Sequence, residues 1–413
     1  MGAWAGPTAT ARPRVAEVDV TVLGVHGGAL PADGGGCLAA ATVVAGGAAV
    51  LEALAPEGAR RIVLRAPLED ALDELLAADG PRVVLASGDP GFFGIVRALR
   101  ERGATLDVRP APSSVAVAFG RVGLSWDDAL VVSAHGRAPE PALHAALRHP
   151  KVAVLTEPRT PPSWFAQRLA GTGRRLAVAS RLGEPDERVV LGAPEELTDV
   201  AADEPNVLLS WDPDAPSPKR AVPPAAAGPG AWALPDDAFE QRGRMVTKRE
   251  VRALALARLG PGTGDLLWDV GCHSASVAVE AARLGAAAIG IERDAEVLEL
   301  ARRNAAAHGV PVRLVHGAAP GALADLPDPD VVFVGGGGAD LPAILDATLP
   351  RVRRAVVVTL ALLDRATPAL EQLSAGGFAA DGTLLQASRL APLAGGHRLA
   401  AENPVVVLTG VRR

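Results

Sequence analysis

The segment 212–235, DPDAPSPKRAVPPAAAGPGAWALP, interrupts this chain more sharply than any other. Proline and glycine recur too often for a helix or a sheet ladder to run through it, and no hydrophobic period is visible. It reads as a semi-extended linker. The chain then holds two folded bodies, 14–211 and 236–413. A total of 413 residues agrees with this. That is too long for one ordinary core and suits two of roughly 200 residues each. No short repeat is present.

Both bodies alternate strand-like and helix-like runs. In the first, strands are expected at 18–25, 82–87, 130–133, 151–155 and 175–180, with helices at 68–78 and 163–169. In the second, strands are expected at 266–270, 287–291, 312–315, 331–334 and 355–359, with helices at 251–259, 295–308 and 341–349. Continuous apolar strands alternating with helices imply an α/β fold with parallel sheets covered on both faces. Ligands of such sheets bind beyond the carboxyl ends of the strands. Segments 382–388 and 404–410 are read as a closing antiparallel pair joined by a short loop.

Composition narrows the function classes. Hydrophobic residues make up 49% and charged residues 21%, which is globular. The net charge of −6 argues against nucleic acid as a partner, and an anionic substrate would need local arginines. Cys37 and Cys272 are too few and too far apart for a disulfide framework or a zinc cluster, so no metal and a reducing cytoplasm are expected. No run of about 18 uncharged apolar residues occurs, so no membrane span is expected. The opening Met1-Gly2-Ala3-Trp4 lacks the basic start and apolar stretch of a signal peptide and is read as a disordered leader.

In the second body, Trp268-Asp269-Val270-Gly271-Cys272-His273-Ser274-Ala275-Ser276 leaves a strand and opens a helix, and the next strand ends at Glu292. An acid about 20 residues past the first glycine of such a turn is placed to grip a ribose diol. The alternate positions are Gly271, His273 and Ala275. His273 puts a side chain where backbone normally approaches the ligand. Upstream, Thr247-Lys248-Arg249-Glu250 has the spacing of a capping box, with Thr247 as the cap. A helix start also favours anions. Arg242, Arg244, Lys248, Arg249 and Arg252 crowd this stretch, as either a solvated face or a clamp for substrate carboxylates. Arg244, Lys248 and Arg249 are the clamp candidates.

In the first body, Ser87-Gly88-Asp89-Pro90-Gly91-Phe92-Phe93-Gly94 follows a strand with small residues and a proline-fixed turn, which lets backbone approach a ligand. Further on come Pro112-Ser113-Ser114, Gly123-Leu124-Ser125-Trp126-Asp127-Asp128, Ser133-Ala134-His135-Gly136-Arg137, Leu155-Thr156-Glu157 and the run RLGEPDERV from Arg181. His135 alone would be structural more often than catalytic.

In their order and spacing, SGDPGFFG, PSS, GLSWDDA, SAHGR, LTE and RLGEPDERV resemble the cobalamin-pathway tetrapyrrole methylase family, in its branch that methylates precorrin-6Y. This resemblance covers nearly all of 18–210. The second body, with MVTKREVR, LWDVG, IERDAE, GAAP, FVGGGG and ENPVVVLTG, is similar over 236–411 to the partner domain. That domain is a Rossmann-like class I methyltransferase that methylates and decarboxylates the same substrate.

The resemblance implies S-adenosylmethionine as cofactor of both bodies. In the first it would face Gly24, Gly88, Asp89, Pro90, Ser113 and Ser114. In the second it would face Thr247, the loop Gly271, Cys272, His273, Ser274 and Ala275, then Glu292 and Ala319. The implied activity is C-methylation of precorrin-6Y at carbons 5 and 15 with loss of an acetate carboxylate, giving precorrin-8. The implied partners are a tetrapyrrole and further copies of the chain, with no nucleic acid and no membrane. No catalytic acid or base is identified.

The chain also departs from the family pattern. His26 replaces a usual glycine in Gly24-Val25-His26-Gly27-Gly28, residues 29–38 match poorly, and Ala318 stands where the family often has an acid. These departures keep two other readings open: a two-domain methyltransferase acting on another small molecule, and a degenerate tetrapyrrole-binding scaffold. For His273 the favoured expectation is a ring that crowds the pocket and weakens cofactor binding. The alternative is a protonated ring that bonds the cofactor carboxylate.

Overall fold

A computed structural model describes residues 18–65, 67–92, 94–215, 232–243 and 246–413. The leader, linker residues 216–231 and the clamp candidate Arg244 lie outside these.

The elements in order are β1 (Val20–Val25), α1 (Gly35–Ala39), β2 (Val43–Gly46), α2 (Ala48–Leu54), β3 (Arg60–Val63), α3 (Glu69–Ala77), β4 (Arg82–Ser87), α4 (Ile95–Glu101), β5 (Leu106–Arg109), α5 (Ser114–Val122), β6 (Leu130–Ser133), α6 (Glu140–Arg148), β7 (Lys151–Leu155), α7 (Pro162–Leu169), β8 (Arg175–Ser180), β9 (Arg188–Gly192) and β10 (Asn206–Trp211). They continue as α8 (Arg249–Leu259), β11 (Leu266–Val270), α9 (Ser276–Arg283), β12 (Ala287–Glu292), α10 (Ala295–Ala307), β13 (Arg313–His316), β14 (Val331–Gly335), α11 (Leu341–Thr348), β15 (Ala355–Leu360), α12 (Ala366–Ala375), β16 (Phe378–Leu385), β17 (Ser388–Leu393), β18 (Gly396–Ala401) and β19 (Val405–Arg412). The strands absent from the sequence reading include the short β2, β3 and β5. In β3 only Ile62 is buried, as at a sheet edge, so it carries no apolar run to detect.

Contacts group the chain into two compact units. One comprises residues 18–127 with 155–167 and 175–209. The other comprises 128–154, 168–174 and 210–413.

In the first unit a five-stranded sheet runs β3-β2-β4-β1-β5, and its strands are parallel. Successive residues of β1 feed opposite cores. Val20 and Val22 pack with Leu72 and Leu75 of α3 and Leu99 of α4. Leu23 and Val25 pack with Leu38 of α1 and Leu51 of α2. Each fully buried Val or Leu contributes about 1.5–3 kcal/mol. That two-sided burial is why these strands read as unbroken apolar runs.

The second unit has a seven-stranded sheet, β13-β12-β11-β14-β15-β19-β16. It is parallel up to β15, and β19 runs antiparallel to both neighbours. Leu266, Trp268 and Val270 share one core with α11 and α12 residues such as Leu345 and Leu373. Leu267 shares the other with Leu256, Val277 and Ala301 from α8, α9 and α10. The expected antiparallel closure is present, but the connection is not a short loop: β17 and β18 form a hairpin of their own between β16 and β19. Its Leu390, Leu393 and Leu399 are exposed and bury no core, and Ala, Pro and Arg beside them break any regular apolar–polar alternation, so the run lacked a strand signature.

The same unit includes α6. His144 there is buried, with Nδ1 2.9 Å from the Gly264 carbonyl and 3.2 Å from the Asp330 carboxylate. Arg148 donates to the Ala282 carbonyl at 2.6 Å. Trp232 and Leu234, read as the end of the linker, pack on the α8–α9–α10 side of the sheet. Here the Ala233 and Leu234 amides donate to the buried carboxylate of Glu280 at 2.7 and 3.0 Å.

Candidate functional site

The switch in strand order falls between β11 and β14, where chain leaves the sheet in opposite directions. The loops after these strands meet through glycines. A Cβ added to Gly335 would come 3.0 Å from the Gly271 carbonyl, and one on Gly271 would come 3.5 Å from the Gly335 carbonyl. Gly271, His273 and Ala275 all have positive φ, at 73°, 46° and 54°. This explains the alternate-glycine spacing: three left-handed residues curl the loop back over the strand end. The Gly271 and Cys272 amides both donate to the Ile291 carbonyl, at 2.9 and 3.0 Å, which ties the loop to β12.

Glu292 closes β12. Its Oε2 accepts the His273 amide at 3.1 Å, and its Oε1 accepts the Arg293 and Asp294 amides at 2.9 and 3.1 Å. The acid and the glycine loop, far apart in sequence, therefore form one corner. Ser274 is buried, and its carbonyl accepts from Asn304 of α10. Asn304 also bonds both backbone groups of Glu240, so one amide pins the loop and the segment beside it. Ala319 packs half-buried against the β11 core, and the nearby Gly317 amide donates to the Glu292 carbonyl.

The thiol of Cys272 faces inward, where a Cβ on Gly290 would touch it at 3.0 Å. Burial pushes that thiol well above its usual range, and Asp269 and Glu292 add to the push. Cys272 therefore offers the loop its backbone and no reactive side chain.

Two residues that the sequence reading left without a role matter here: Asn304 and Asp269. Asp269 is fully buried, and its carboxylate accepts the Ala278 amide at 3.0 Å. Burial pushes its carboxyl up to about 7, against the Ala278 bond and with Glu292 adding to the rise. An acid inside an otherwise apolar strand, just before the glycine turn, was the available signal.

The capping box at Thr247 does not form. α8 starts one residue later, and the cap position, Lys248, makes no side-chain bond. Asp236 accepts the Arg249 amide at 2.8 Å in its place, a tertiary cap invisible to local spacing. Glu250 instead pairs with Arg389 of the hairpin at 3.0 Å.

The basic cluster also divides. Arg252 belongs to no clamp: it is fully buried, ion-paired to Glu280 at 2.7 Å and stacked on Phe239. Arg242 pairs with Asp294 and Glu296. Lys248 and Arg249 stand half-buried at the start of α8.

In the first unit, the loops after β1 and β4 meet beyond the carboxyl ends of those strands. Here lies a cavity of about 420 Å³ lined by residues that include His26, Gly88, Ser114 and Asn206. Gly24 serves close packing: a Cβ there would fall 2.3 Å from the Ala111 amide nitrogen and 2.4 Å from the Gly88 carbonyl. Gly88, at φ 70°, bonds back to Val25. Asp89 folds its own turn by accepting the Gly91 amide at 2.8 Å, and Pro90 is buried behind it. Ser113 caps α5 through the Ala116 amide, which leaves Ser114 at the cavity wall.

His26 is accommodated. The Gly183 position, φ 84°, leaves just enough room that an added Cβ would lie 2.7 Å from the imidazole. Glu187 holds this loop by accepting the Gly183 amide at 2.7 Å while paired with Arg121. The Arg121 guanidinium, with the Gly183 amide, keeps the Glu187 carboxyl below its usual range. Asn206 is oriented by a buried bond from Thr156 of the LTE motif. His135 lies exposed.

Among the described residues, no group of three or more His, Cys, Asp or Glu could hold a metal, and no helix is long and apolar enough to cross a membrane.

Residues 34–198 match the family of Tetrapyrrole (Corrin/Porphyrin) Methylases, and residues 237–412 match the Precorrin methyltransferase domain. The chain is 39% identical over 311 residues to a Sinorhizobium precorrin-6Y C(5,15)-methyltransferase [decarboxylating], covering 70% of each protein. It is 35% identical over 287 residues to the Mycobacterium tuberculosis protein of the same name, covering 66% of this chain and 68% of that one. Among solved structures, a Geobacter metallireducens precorrin-6y C5,15-methyltransferase is 33% identical with a TM-score of 0.42, covering 44% of this chain and all 100% of that one. An Archaeoglobus fulgidus precorrin-6Y methylase is 22% identical with a TM-score of 0.38, covering 48% and 98%.

Proposed function

This chain belongs to the precorrin-6Y C(5,15)-methyltransferase (decarboxylating) family, and from that premise we propose that it methylates precorrin-6Y at carbons 5 and 15 and removes an acetate carboxylate, with S-adenosylmethionine bound separately in each half. The observation that carries the two-site reading is the pair of loop corners beyond parallel strands. One is the cavity at β1 and β4, and the other is the glycine-lined corner at β11, β12 and β14.

The residues present suit such a cofactor. Gly88 and Ser114 line a cavity of about 420 Å³ in the first unit. In the second, three left-handed positions and an acid converge, and the His273 ring nitrogens are buried without a partner. When bound, S-adenosylmethionine supplies an electrophilic methyl group on a sulfonium. The meso carbons of a reduced tetrapyrrole are enamine-like nucleophiles, so the protein's task is to align one with that methyl group. No base is needed for this step. Loss of carbon dioxide leaves electrons that the conjugated ring absorbs, and Lys248 and Arg249 are proposed to hold other carboxylates of the ring. We assign the methylase to 14–211 and the decarboxylating methyltransferase to 236–413, with 212–235 between them and its end, Trp232–Leu234, packed against the second.

We further propose a cytoplasmic homo-oligomer. Two free cysteines suit a reducing compartment. Leu390, Leu393 and Leu399, exposed on the β17–β18 hairpin, suit self-association. Incubation with precorrin-6Y and S-adenosylmethionine should yield a tetrapyrrole that has gained two methyl groups, each in place of a hydrogen, and lost one carbon dioxide. An unchanged tetrapyrrole mass would overturn the proposal.

A further inference from the structure

The Glu292 carboxylate is close to saturated before any ligand arrives. Oε1 already accepts two amides, from Arg293 and Asp294, and Oε2 accepts one, from His273. A carboxylate oxygen has two lone pairs, so Oε1 is filled and Oε2 can take one more donor. A vicinal diol brings two hydroxyls, and one of them finds no acceptor on this acid. Asp294 is no substitute. Its Oδ1 caps α10 through the Glu296 and Val297 amides, and its Oδ2 faces Arg242 at 3.5 Å.

His273 occupies the same corner, since its own amide is the group on Glu292. Both ring nitrogens are buried and have no hydrogen-bond partner. Leaving buried polar atoms unpaired is costly, and a ligand that pairs them recovers that cost. The charges acting on the ring are Glu292 and Asp294 on one side of the balance and Arg242 on the other. Burial lowers the imidazole below its usual value, so at neutral pH it offers one N–H donor and one bare acceptor nitrogen. Two neighbouring carboxylates oppose an anionic ligand. This argues against the cofactor carboxylate as the ring's partner and favours a neutral hydroxyl, which both donates and accepts.

We propose that His273 holds the second hydroxyl of the cofactor ribose, so that the diol is gripped by a Glu292–His273 pair and not by the acid alone. This deepens the reading of Glu292 as the ribose ligand and rests on it. His273 here is a binding residue and takes no part in methyl transfer.

The test is calorimetric titration of the full chain with S-adenosylhomocysteine and with its 2′-deoxy and 3′-deoxy analogues. The parent, His273→Gly and His273→Asn are compared. Glycine suits φ 46° at this position, so the Gly variant should fold at least as stably. It should bind S-adenosylhomocysteine about tenfold more weakly at one of the two sites, the loss of about one hydrogen bond. Asn, which tolerates left-handed backbone and keeps a donor and an acceptor, should recover part of that affinity. The deoxy analogue lacking the held hydroxyl should bind parent and Gly variant alike. Equal or tighter binding of S-adenosylhomocysteine by the Gly variant overturns the proposal. So does an equal loss with all three ligands, the mark of a merely structural residue. Failure of the underlying ribose reading looks different: the parent would bind all three ligands equally, and Glu292→Gln would change nothing.

Discussion

The loops after β1 and β11 each carry a histidine where a glycine is usual, and the protein treats the two differently. Around His26 the fold has made room: Gly183, held by Glu187 in a left-handed turn, leaves the imidazole a berth beside the cavity. The His273 ring is also half-buried, but both of its nitrogens are buried without hydrogen-bond partners. One histidine is packed by the protein, and the other waits on something the protein does not supply. A glycine-to-histidine change in a cofactor loop therefore cannot be judged from the loop alone. Its meaning depends on what faces the ring.

The largest expected effect probes the support beneath the second loop. Glu280 lies on α9, which follows that loop, and takes the buried Arg252 guanidinium with two backbone amides. Glu280→Ala removes the close carboxylate partner of the buried Arg252 guanidinium, leaving only Asp236 at 3.7 Å, and should cost about 3–5 kcal/mol in denaturant unfolding. A loss under about 1 kcal/mol would mean that the second loop rests on softer ground than the contrast assumes.

Next in size is the pH response of the same loop. The Asp269 carboxyl is pushed up to about 7 from an ordinary 3.8. The folded chain therefore holds a proton there that the unfolded chain releases. Stability should fall as pH rises from about 4 to about 7, with the full cost present above that range, on the order of 2–4 kcal/mol. Asp269→Asn keeps an acceptor for the Ala278 amide and carries no charge, so its unfolding free energy should lack this fall. A pH slope equal to the parent's would remove Asp269 from the account. The first loop has no buried acid of this kind at its strand end.

The smallest effect tests the berth of His26. Gly183→Ala puts a methyl group 2.7 Å from the imidazole on backbone at φ 84°. It should cost about 1–2 kcal/mol for the left-handed residue. The displaced ring should also weaken cofactor binding at the first site. The double change His26→Gly with Gly183→Ala should restore binding and leave the stability loss. If Gly183→Ala alone leaves cofactor affinity intact, the berth is not what keeps His26 out of the way.

Legibility followed locality. Strands β4, β7, β8 and β11 coincide with their apolar runs because central strands are buried on both faces. The edge strand β3 and the exposed hairpin β17–β18 bury little and left no pattern. Thr247 to Glu250 had the right spacing for a cap. Asp236, distant in sequence, reached the Arg249 amide first, and no local motif can report that competition. Arg252 looked like its exposed basic neighbours, and only the fold showed it sealed against Glu280.

By itself the sequence determined the α/β alternation, the glycine turns at strand ends and the acid spaced to meet one of them. These depend on neighbours within a few residues, or on a spacing that one strand–helix–strand unit enforces. The tertiary structure alone decided which side chains share a corner. It brought Gly335 against Gly271, pinned Ser274 through Asn304, filled all but one acceptor site of Glu292 and left the His273 ring nitrogens without a partner. Hydrogen-bond capacity is spent between groups distant in the chain, so what a residue still has to offer a ligand is known only once the chain has closed around it.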